Sequence, residues 1–165
     1  MNLGAVYSHN TPGPLQKEIQ THMNISDSQF NNFYSAKAIS SMILPFFIAI
    51  LYEKLGLEYM LLTAGAINAA GTYLFLLGIS FSHYSMSLLG RILMGLGDVT
   101  VFQSTLTCTW FPISDIAWAG SWRSGLAKGI RTFSSTIAPM VFNTTNNLTS
   151  VYWIDFSVAL LTLGC

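Results

Sequence analysis

Tyr59 to Phe81 reads YMLLTAGAINAAGTYLFLLGISF, a stretch of 23 residues without a charged side chain. A helix rises about 1.5 Å per residue, so this stretch covers more than about 30 Å, the thickness of a bilayer's hydrocarbon core. A core helix of a soluble protein has no need of that length. Similar apolar stretches lie on both sides, so the sequence predicts a chain whose main solvent is lipid.

The composition is that of a membrane protein. Charged residues make up 8% of the chain, against about 25% in soluble domains, and the mean hydropathy is +0.50. Seven basic and seven acidic residues give a net charge of zero, so bulk charge does not indicate nucleic-acid binding. The two cysteines have no disulfide framework and no metal-ligand spacing. No nucleophile–base set or phosphate loop is visible, so we expect no enzyme, cofactor or metal.

The predicted fold is all-α, a polytopic transmembrane helix bundle in a single incomplete domain over residues 1–165. Residues 15–28 are expected to form a loop or short surface helix, 53–58 a charged turn and 112–123 a polar, aromatic connector. The last apolar segment has about 15 residues, whereas a span needs about 20, so we expect a fragment of a longer protein. The predicted spans are about 29–52, 59–81, 86–110 and 125–142, followed by a truncated span over 151–165.

Three Asn-x-Ser/Thr sequons, at Asn24, Asn143 and Asn147, bear on the orientation and are candidate glycosylation sites. Four predicted crossings separate the first sequon loop from the loop after residue 142. Because four is an even number, both loops are expected on the same face. Three basic residues lie at the opposite face and only Lys17 at the sequon face. Basic residues accumulate on the cytosolic side, so the sequons are predicted to lie on the other side.

Arg91 and Asp98 are charged residues within a predicted span, where each costs at least about 2.5–3.5 kcal/mol. Such residues usually face a bundle interior or a water-filled cavity. At a spacing of seven they are expected on one helix face. Gly90, Gly95 and Gly97 would let a neighbouring helix or a substrate approach that face. The alternatives are that Arg91 snorkels to the interface and that Asp98 pairs with another basic residue.

Basic residues in other spans are further candidates. Lys128 and Arg131 share a helix face. Lys128 either snorkels to the cytosolic interface or faces the interior, whereas Arg131 lies about two turns into its span and is the better candidate to hold a carboxylate. Lys37 lies near the outward end of its span, where it either anchors at the interface or faces inward. Asp155 has no assigned role.

Two short motifs resemble those of the major facilitator superfamily of transporters. In ILYEKLG, Glu53, Lys54 and Gly56 take the acid, base and glycine places of the G-x-x-x-D-R-x-G pattern between the second and third helices. One span later, SLLGRILMGLGD resembles the fourth-helix pattern R-x-x-x-G-x-G at Arg91, Gly95 and Gly97. The resemblance implies structural or coupling roles for the residues in both motifs, and implies that the chain is part of an N-terminal six-helix half.

Finer features resemble the branch of the superfamily that contains lysosomal dipeptide transporters. YSHNTPGPL, over residues 7–15, is similar to that branch's Y-x-N-P-x-x-L at the end of the first helix. Gln103, Trp110 and Phe111 resemble its Q-N-T…W-F near the end of the fourth helix, and GLAKGIRTFSSTI resembles its fifth helix. The resemblance covers about residues 5–142.

The resemblance implies a secondary transporter that moves dipeptides or amino-acid-like solutes by alternating access in a lysosomal or other endomembrane. Asp98 would then bind the substrate's ammonium group and Arg131 its carboxylate, with Arg91 holding the helix network or coupling conformations. The implied partners are this small-molecule substrate, the lipid bilayer and a missing C-terminal half, with an accessory glycoprotein as an additional candidate. Two alternatives stay open: a sugar or organic-anion porter of the same superfamily, and a non-transporting tetraspan protein.

Overall fold

The described part of the chain is helical and contains no strand, which confirms the predicted all-α class for those residues. The computed structural model describes residues 3–98, 107, 108, 110–145 and 147–161, apart from the side chains of residues 3–5, 44–55, 57 and 58. Its helices of eight residues or more are α1 (Leu3–Asn10), α2 (Gln16–Met23), α3 (Asp27–Leu55), α4 (Leu57–Ser80), α5 (Tyr84–Leu96), α6 (Ile116–Thr145) and α7 (Leu148–Leu161).

Helix α4 contains the apolar stretch that opened the sequence analysis. Within the described residues, Tyr59–Ser80, of 22 residues, is the one segment both long and apolar enough to cross a bilayer, with a mean hydropathy of 1.6 in an 18-residue window. Leu148–Leu161 is apolar but shorter. No second segment of the described residues passes the same test, and the predicted spans 86–110 and 151–165 extend beyond those residues. Part of the reason lies in α6, which carries three basic residues and a run of hydroxyl side chains, so one of its sides is polar.

The link between α3 and α4 is shorter than the predicted charged turn over 53–58. Residues 53–55 continue α3, and Gly56 alone joins it to α4 with a φ of 76°. Glycine adopts this left-handed conformation without the steric cost that a Cβ would bring. The glycine of the motif therefore makes the turn, whereas the side chains of Glu53 and Lys54 lie outside the described set.

Two other boundaries also differ from the prediction. The connector expected over 112–123 is helical from Ile116 onward, so α6 is much longer than the predicted span over 125–142. Helix α5 ends at Leu96 with Gly97 as its C-cap, since glycine is a poor helix former. Asp98 therefore lies beyond the helix, and the expected shared helical face with the arginine seven residues earlier is wrong. Residues 99–106 of that predicted span lie outside the described residues.

Glycines allow α4 and α5 to pack with their backbones almost in contact. A Cβ added to Gly90 would lie 2.6 Å from the amide nitrogen of Phe75, and one added to Gly71 would lie 2.7 Å from that of Met94. Gly95 faces α3 instead, where a Cβ would lie 2.5 Å from the carbonyl oxygen of Lys37. The predicted close approach at these glycines is present, because no side chain keeps the helices apart.

The GxxxG motif of α6 behaves differently. A Cβ added to Gly125 or Gly129 would meet no atom within 4 Å among the described residues. These two glycines therefore make no close helix contact among the described residues. Both glycines instead line an open, mostly apolar groove of about 570 Å³, together with Trp118, Trp122 and Phe133.

Besides its buried apolar core, the chain differs from a soluble protein in the distribution of polarity. Large apolar side chains lie on the outside, including Leu62 and Phe133, each 67% exposed. Charged and hydroxyl groups lie inside, including Arg91 and Asp155, each 1% exposed. A soluble fold places the same residue types the other way round. This arrangement suits a chain surrounded by lipid or by further helices.

The sequon loops occupy one end of the bundle. Lys17 and His22 of α2 line a groove together with Phe142 and Asn147, so α2 and the α6–α7 junction are neighbours. His22 thus belongs to α2, the short helix that was one of the two alternatives predicted for residues 15–28. The three sequon residues Asn24, Asn143 and Asn147 are all exposed.

Gly90→Ala is expected to destabilise the chain by about 1–3 kcal/mol, because its methyl group would overlap the backbone of α4. Gly129→Ala is the matched control: it is also a helical glycine, but its surroundings are open, so helix propensity should make it neutral or stabilising by about 1 kcal/mol. Unfolding of both variants by sodium dodecyl sulfate in mixed micelles, followed by circular dichroism, measures the difference. Equal stability of the two variants would contradict close α4–α5 packing.

Candidate functional site

An ion pair between α3 and the end of α5 lies in the bundle interior. Lys37 Nζ is 3.9 Å from Asp98 Oδ2, with the two side chains 21% and 11% exposed. Ser41 lies one turn after Lys37, and its hydroxyl lies where it can donate to Asp98 Oδ2 at 3.4 Å and to the carbonyl of Gly95 at 3.3 Å. The close contact at Gly95 brings α3 near enough for this pairing.

Polar residues of α1 and α4 complete this group. His9 Nε2 lies 3.3 Å from Asn68 Oδ1, and both residues are buried. The His9 ring is also within electrostatic range of Lys37 and Asp98. We call His9, Lys37, Ser41, Asn68 and Asp98 the ion-pair cluster. Four separate chain segments meet there, so its polar groups lie far apart in sequence but close in space.

Arg131 lies at the margin of the ion-pair cluster. It is exposed on α6, and its guanidinium is within electrostatic range of Lys37. Ser134 follows three residues later on the same side of the helix and is fully buried against α1. Arg131 therefore lies near the side of α6 that borders the bundle interior.

A second polar group surrounds Asp155 of α7. The Thr11 hydroxyl donates to Asp155 Oδ1 at 2.8 Å, and the Ser134 hydroxyl donates to the carbonyl oxygen of Tyr7 at 3.1 Å. The two hydroxyl oxygens lie 3.2 Å apart. These contacts join α6 and α7 to the α1 region, so we call Thr11, Ser134 and Asp155 the Asp155 hub.

Arg91 lies between the ion-pair cluster and the Asp155 hub. Its guanidinium carbon is 4.3 Å from the ring centre of Phe75 and 5.7 Å from that of Tyr34. None of its three side-chain nitrogens has a hydrogen-bond partner in the described part of the chain, and the same holds for the Tyr152 hydroxyl. Asp155 is within electrostatic range. Arg91 is thus held by aromatic faces inside the bundle, and the snorkelling alternative is wrong.

The structure brings some predicted site residues together and adds others. Asp98 pairs with a basic residue from another helix, which is the alternative that the sequence analysis gave for this residue. Arg131 is within electrostatic range of that pair. Lys37 faces inward, which is one of the two alternatives that the sequence left open for it, and His9, which the sequence did not single out, also lies in the interior. The signal for Lys37 was its position within the span, followed by the polar Ser40 and Ser41. Nothing in the sequence marked His9, because its partners lie in other helices.

The chemistry of these groups is that of a site for small charged molecules. A carboxylate and two neighbouring cations can bind an ammonium group and a carboxylate of one solute. In an interior of low dielectric constant such interactions are stronger than in water. The apolar surroundings would limit the number of solutes that can satisfy both kinds of group.

Comparison with known proteins gives distant relatives of one kind. The chain is 24% identical over 114 residues to the lysosomal dipeptide transporter MFSD1 of Bos taurus, which is 67% of this chain and 24% of that protein. It is 23% identical over 114 residues to the same transporter of Mus musculus, with 67% and 25% covered. No protein-family model matches the chain. The chain spans about a quarter of the length of the curated relatives it matches.

These similarities support a relationship to transporters of the major facilitator superfamily. The matched relatives are lysosomal membrane transporters by name and not enzymes, which agrees with the expectation of a non-enzymatic membrane protein. At this level of identity the sequence similarity supports the class of protein, whereas the substrate and the mechanism depend on individual residues.

Arg91→Met is expected to destabilise the chain by about 2 kcal/mol or more, because it removes the desolvated cation–π contact with Phe75 and the cation whose field acts on the buried carboxyl of Asp155. Adding Asp155→Asn should recover about 0.5–3 kcal/mol of the free energy of unfolding, since the uncompensated charge is removed as well. Lys128→Met combined with Asp155→Asn is the control pair, because Lys128 is exposed. Denaturant titration of all variants in mixed micelles gives the coupling energy; additive effects of the two interior substitutions would show that the residues act independently.

Proposed function

We propose that this chain is part of a secondary transporter of the major facilitator superfamily that moves dipeptides or amino-acid-like solutes. The observation that carries the proposal is the pairing of charged groups from different helices inside a bundle whose outer surface is apolar. Ionised groups are expensive in that setting and are retained where a polar solute must be handled. The distant similarity to a transporter of that name supports the substrate class.

In this proposal Asp98 binds the ammonium group of the solute and Arg131 its carboxylate. The electrostatic range between Arg131 and Lys37, and the contact between Lys37 and Asp98, support a common site for both groups. A planar guanidinium forms two parallel hydrogen bonds to a carboxylate, which suits Arg131 to this role. The exposed position of Arg131 leaves its guanidinium accessible to a solute.

Arg91, Gly95 and Gly97 have the structural or coupling role. Gly95 sets the distance between α3 and α5, and a Cβ on Gly97 would lie 2.5 Å from the amide nitrogen of Asn68 in α4. Arg91 lies between the proposed substrate site and the Asp155 hub. A change in the packing of α5 would therefore affect both the proposed substrate site and the Asp155 hub. Glu53 and Lys54, whose side chains lie outside the described set, are assigned to the same class by their motif.

Transport by alternating access requires two halves that rock around a site at the bilayer midplane. The proposed activity therefore belongs to a complete transporter in a lysosomal or other endomembrane. The proposed partners are the solute, the lipid and the transporter's C-terminal half, with an accessory glycoprotein as a further candidate. The open groove on α6 is available to such neighbouring helices.

A porter for organic anions is the second candidate. Asp98 is already contacted by Lys37, while Arg131 is an additional cation at the edge of the same cluster. If Asp98 serves only to neutralise Lys37, the charge left for a ligand is positive. Such a site would take an anion and would have no need of an ammonium group on the solute.

Uptake of a dipeptide by the full-length transporter in proteoliposomes tests the proposed roles. Asp98→Asn and Arg131→Gln should each reduce uptake at low substrate concentration about 10- to 100-fold, because each removes a charge-assisted hydrogen bond worth about 1.5–3 kcal/mol. Lys128→Gln, on the same helix as Arg131, should transport like the unmodified protein. Unchanged uptake in both site variants would remove the binding roles. Loss in Arg131→Gln alone, with uptake of a dicarboxylate, would favour the anion porter.

The proposed orientation places the sequons on the non-cytosolic side. Expression in cells that glycosylate secretory proteins should give a product whose mobility changes on treatment with a glycosidase, because Asn24 and Asn147 are exposed at one end of the bundle. Asn24→Gln and Asn147→Gln each remove one candidate glycosylation site. Asn68→Gln is not a suitable control substitution, because Asn68 is buried and lies outside a sequon. The proposed orientation would be wrong if the chain carried no glycan and Lys54 reacted with a probe confined to the lumen.

A further inference from the structure

Lys37 has a fixed backbone and a side chain that reaches the proposed site for the ammonium group. Its carbonyl oxygen is held close to α5, where Gly95 leaves room for it, and accepts a hydrogen bond from Ser41 at 3.0 Å. The lysine side chain itself contacts Asp98. The backbone position is thus set by helix packing, whereas the ammonium group sits at the end of four flexible carbons.

The contact between Lys37 and Asp98 is loose and partly open. The 3.9 Å between nitrogen and oxygen is longer than a hydrogen bond, and the side chains keep 21% and 11% of their surface exposed. Ser41 also contacts the same carboxylate oxygen. The carboxylate is therefore neutralised by a charge that can move away without breaking a hydrogen-bonded pair.

We infer that Lys37 occupies the ammonium site of Asp98 when no solute is bound and competes with the solute for that carboxylate. This inference rests on the proposed function, in which Asp98 binds the solute's amine. The chemistry is an exchange of one ammonium ion for another, with no change in the charge beside Asp98. Lys37 would keep the carboxylate neutralised in the empty transporter, at a loss of affinity for the solute.

The competition makes a free amino group a requirement for the solute. A solute whose amine is acylated has no cation to replace the Lys37 ammonium, so displacing Lys37 would leave Asp98 partly buried without the Lys37 counter-charge. Lys37 would thus contribute to specificity without contacting the solute itself. A role in direct binding of the carboxylate predicts the opposite effect, because removal of Lys37 would then weaken binding.

Lys37→Gln and Lys37→Arg in the full-length transporter should shift affinity in opposite directions. For uptake of Ala-Ala into proteoliposomes, Lys37→Gln should lower the half-saturating concentration about 3- to 10-fold, because the competitor is gone. Lys37→Arg should raise it by a similar factor, because a planar guanidinium pairs better with the carboxylate. Inhibition of that uptake by N-acetyl-Ala-Ala should not improve in Lys37→Gln. Lys17→Gln, a substitution of an exposed lysine on α2, is the control.

A half-saturating concentration that rises or stays constant in Lys37→Gln would overturn the inference, as would shifts in the same direction for both variants. Should Lys37→Gln fail to fold, Lys37→Arg decides alone, since it keeps the charge: an unchanged or lower half-saturating concentration overturns the inference. Absence of Ala-Ala uptake by the unmodified transporter removes the proposed function and the inference with it. Normal uptake without opposite shifts removes only the inference.

Discussion

The helices enclose a guanidinium that cannot lose its charge. Arg91 is fully buried on α5, against Phe75 of α4 and Tyr34 of α3, and no hydrogen bond to it is present in the described residues. Burial of such a cation in a membrane costs at least about 2.5–3.5 kcal/mol, and one desolvated cation–π contact returns about 2 kcal/mol. The carboxylate of Asp155 also acts on Arg91 at longer range. The positions of α3, α4 and α7 around α5 are therefore constrained by one side chain.

This constraint explains the close packing of α4 and α5. The guanidinium carbon of Arg91 lies 4.3 Å from the ring centre of Phe75 where the two helix backbones are near each other, and Gly90 allows that approach directly opposite the Phe75 amide. A larger residue at Gly90 would push the helices apart and leave the cation without its aromatic partner. The glycines and the arginine of the motif thus act together. The glycines allow α4 and α5 to approach each other, and the guanidinium packs on an aromatic ring where they do so.

The sequence predicted the helical class, the apolar α4 and the residues that are unusual for a membrane interior. It did so because each of those signals is local: an uninterrupted apolar run, a charge within a span, or a glycine on a helix face. The partners of those residues could not be predicted, since Lys37 reaches Asp98 across 61 positions and Thr11 reaches Asp155 across 144. The first part of α6 was missed for another reason. Its polar and aromatic composition does not form an apolar run, although it is helical from Ile116.

The charged residues in the described interior form two pairs, each with one basic and one acidic residue. Arg91 is paired at long range with Asp155, and Lys37 is paired at short range with Asp98. Because the two pairs contain equal numbers of basic and acidic residues, a solute with one ammonium and one carboxylate group can enter without changing the total. A solute of net charge would leave one group uncompensated where the dielectric constant is low, and Coulomb energies there exceed those in water several-fold. The balance therefore suits the zwitterionic solute of the proposed function, in which the exposed Arg131 at its margin would attract the carboxylate group of that solute.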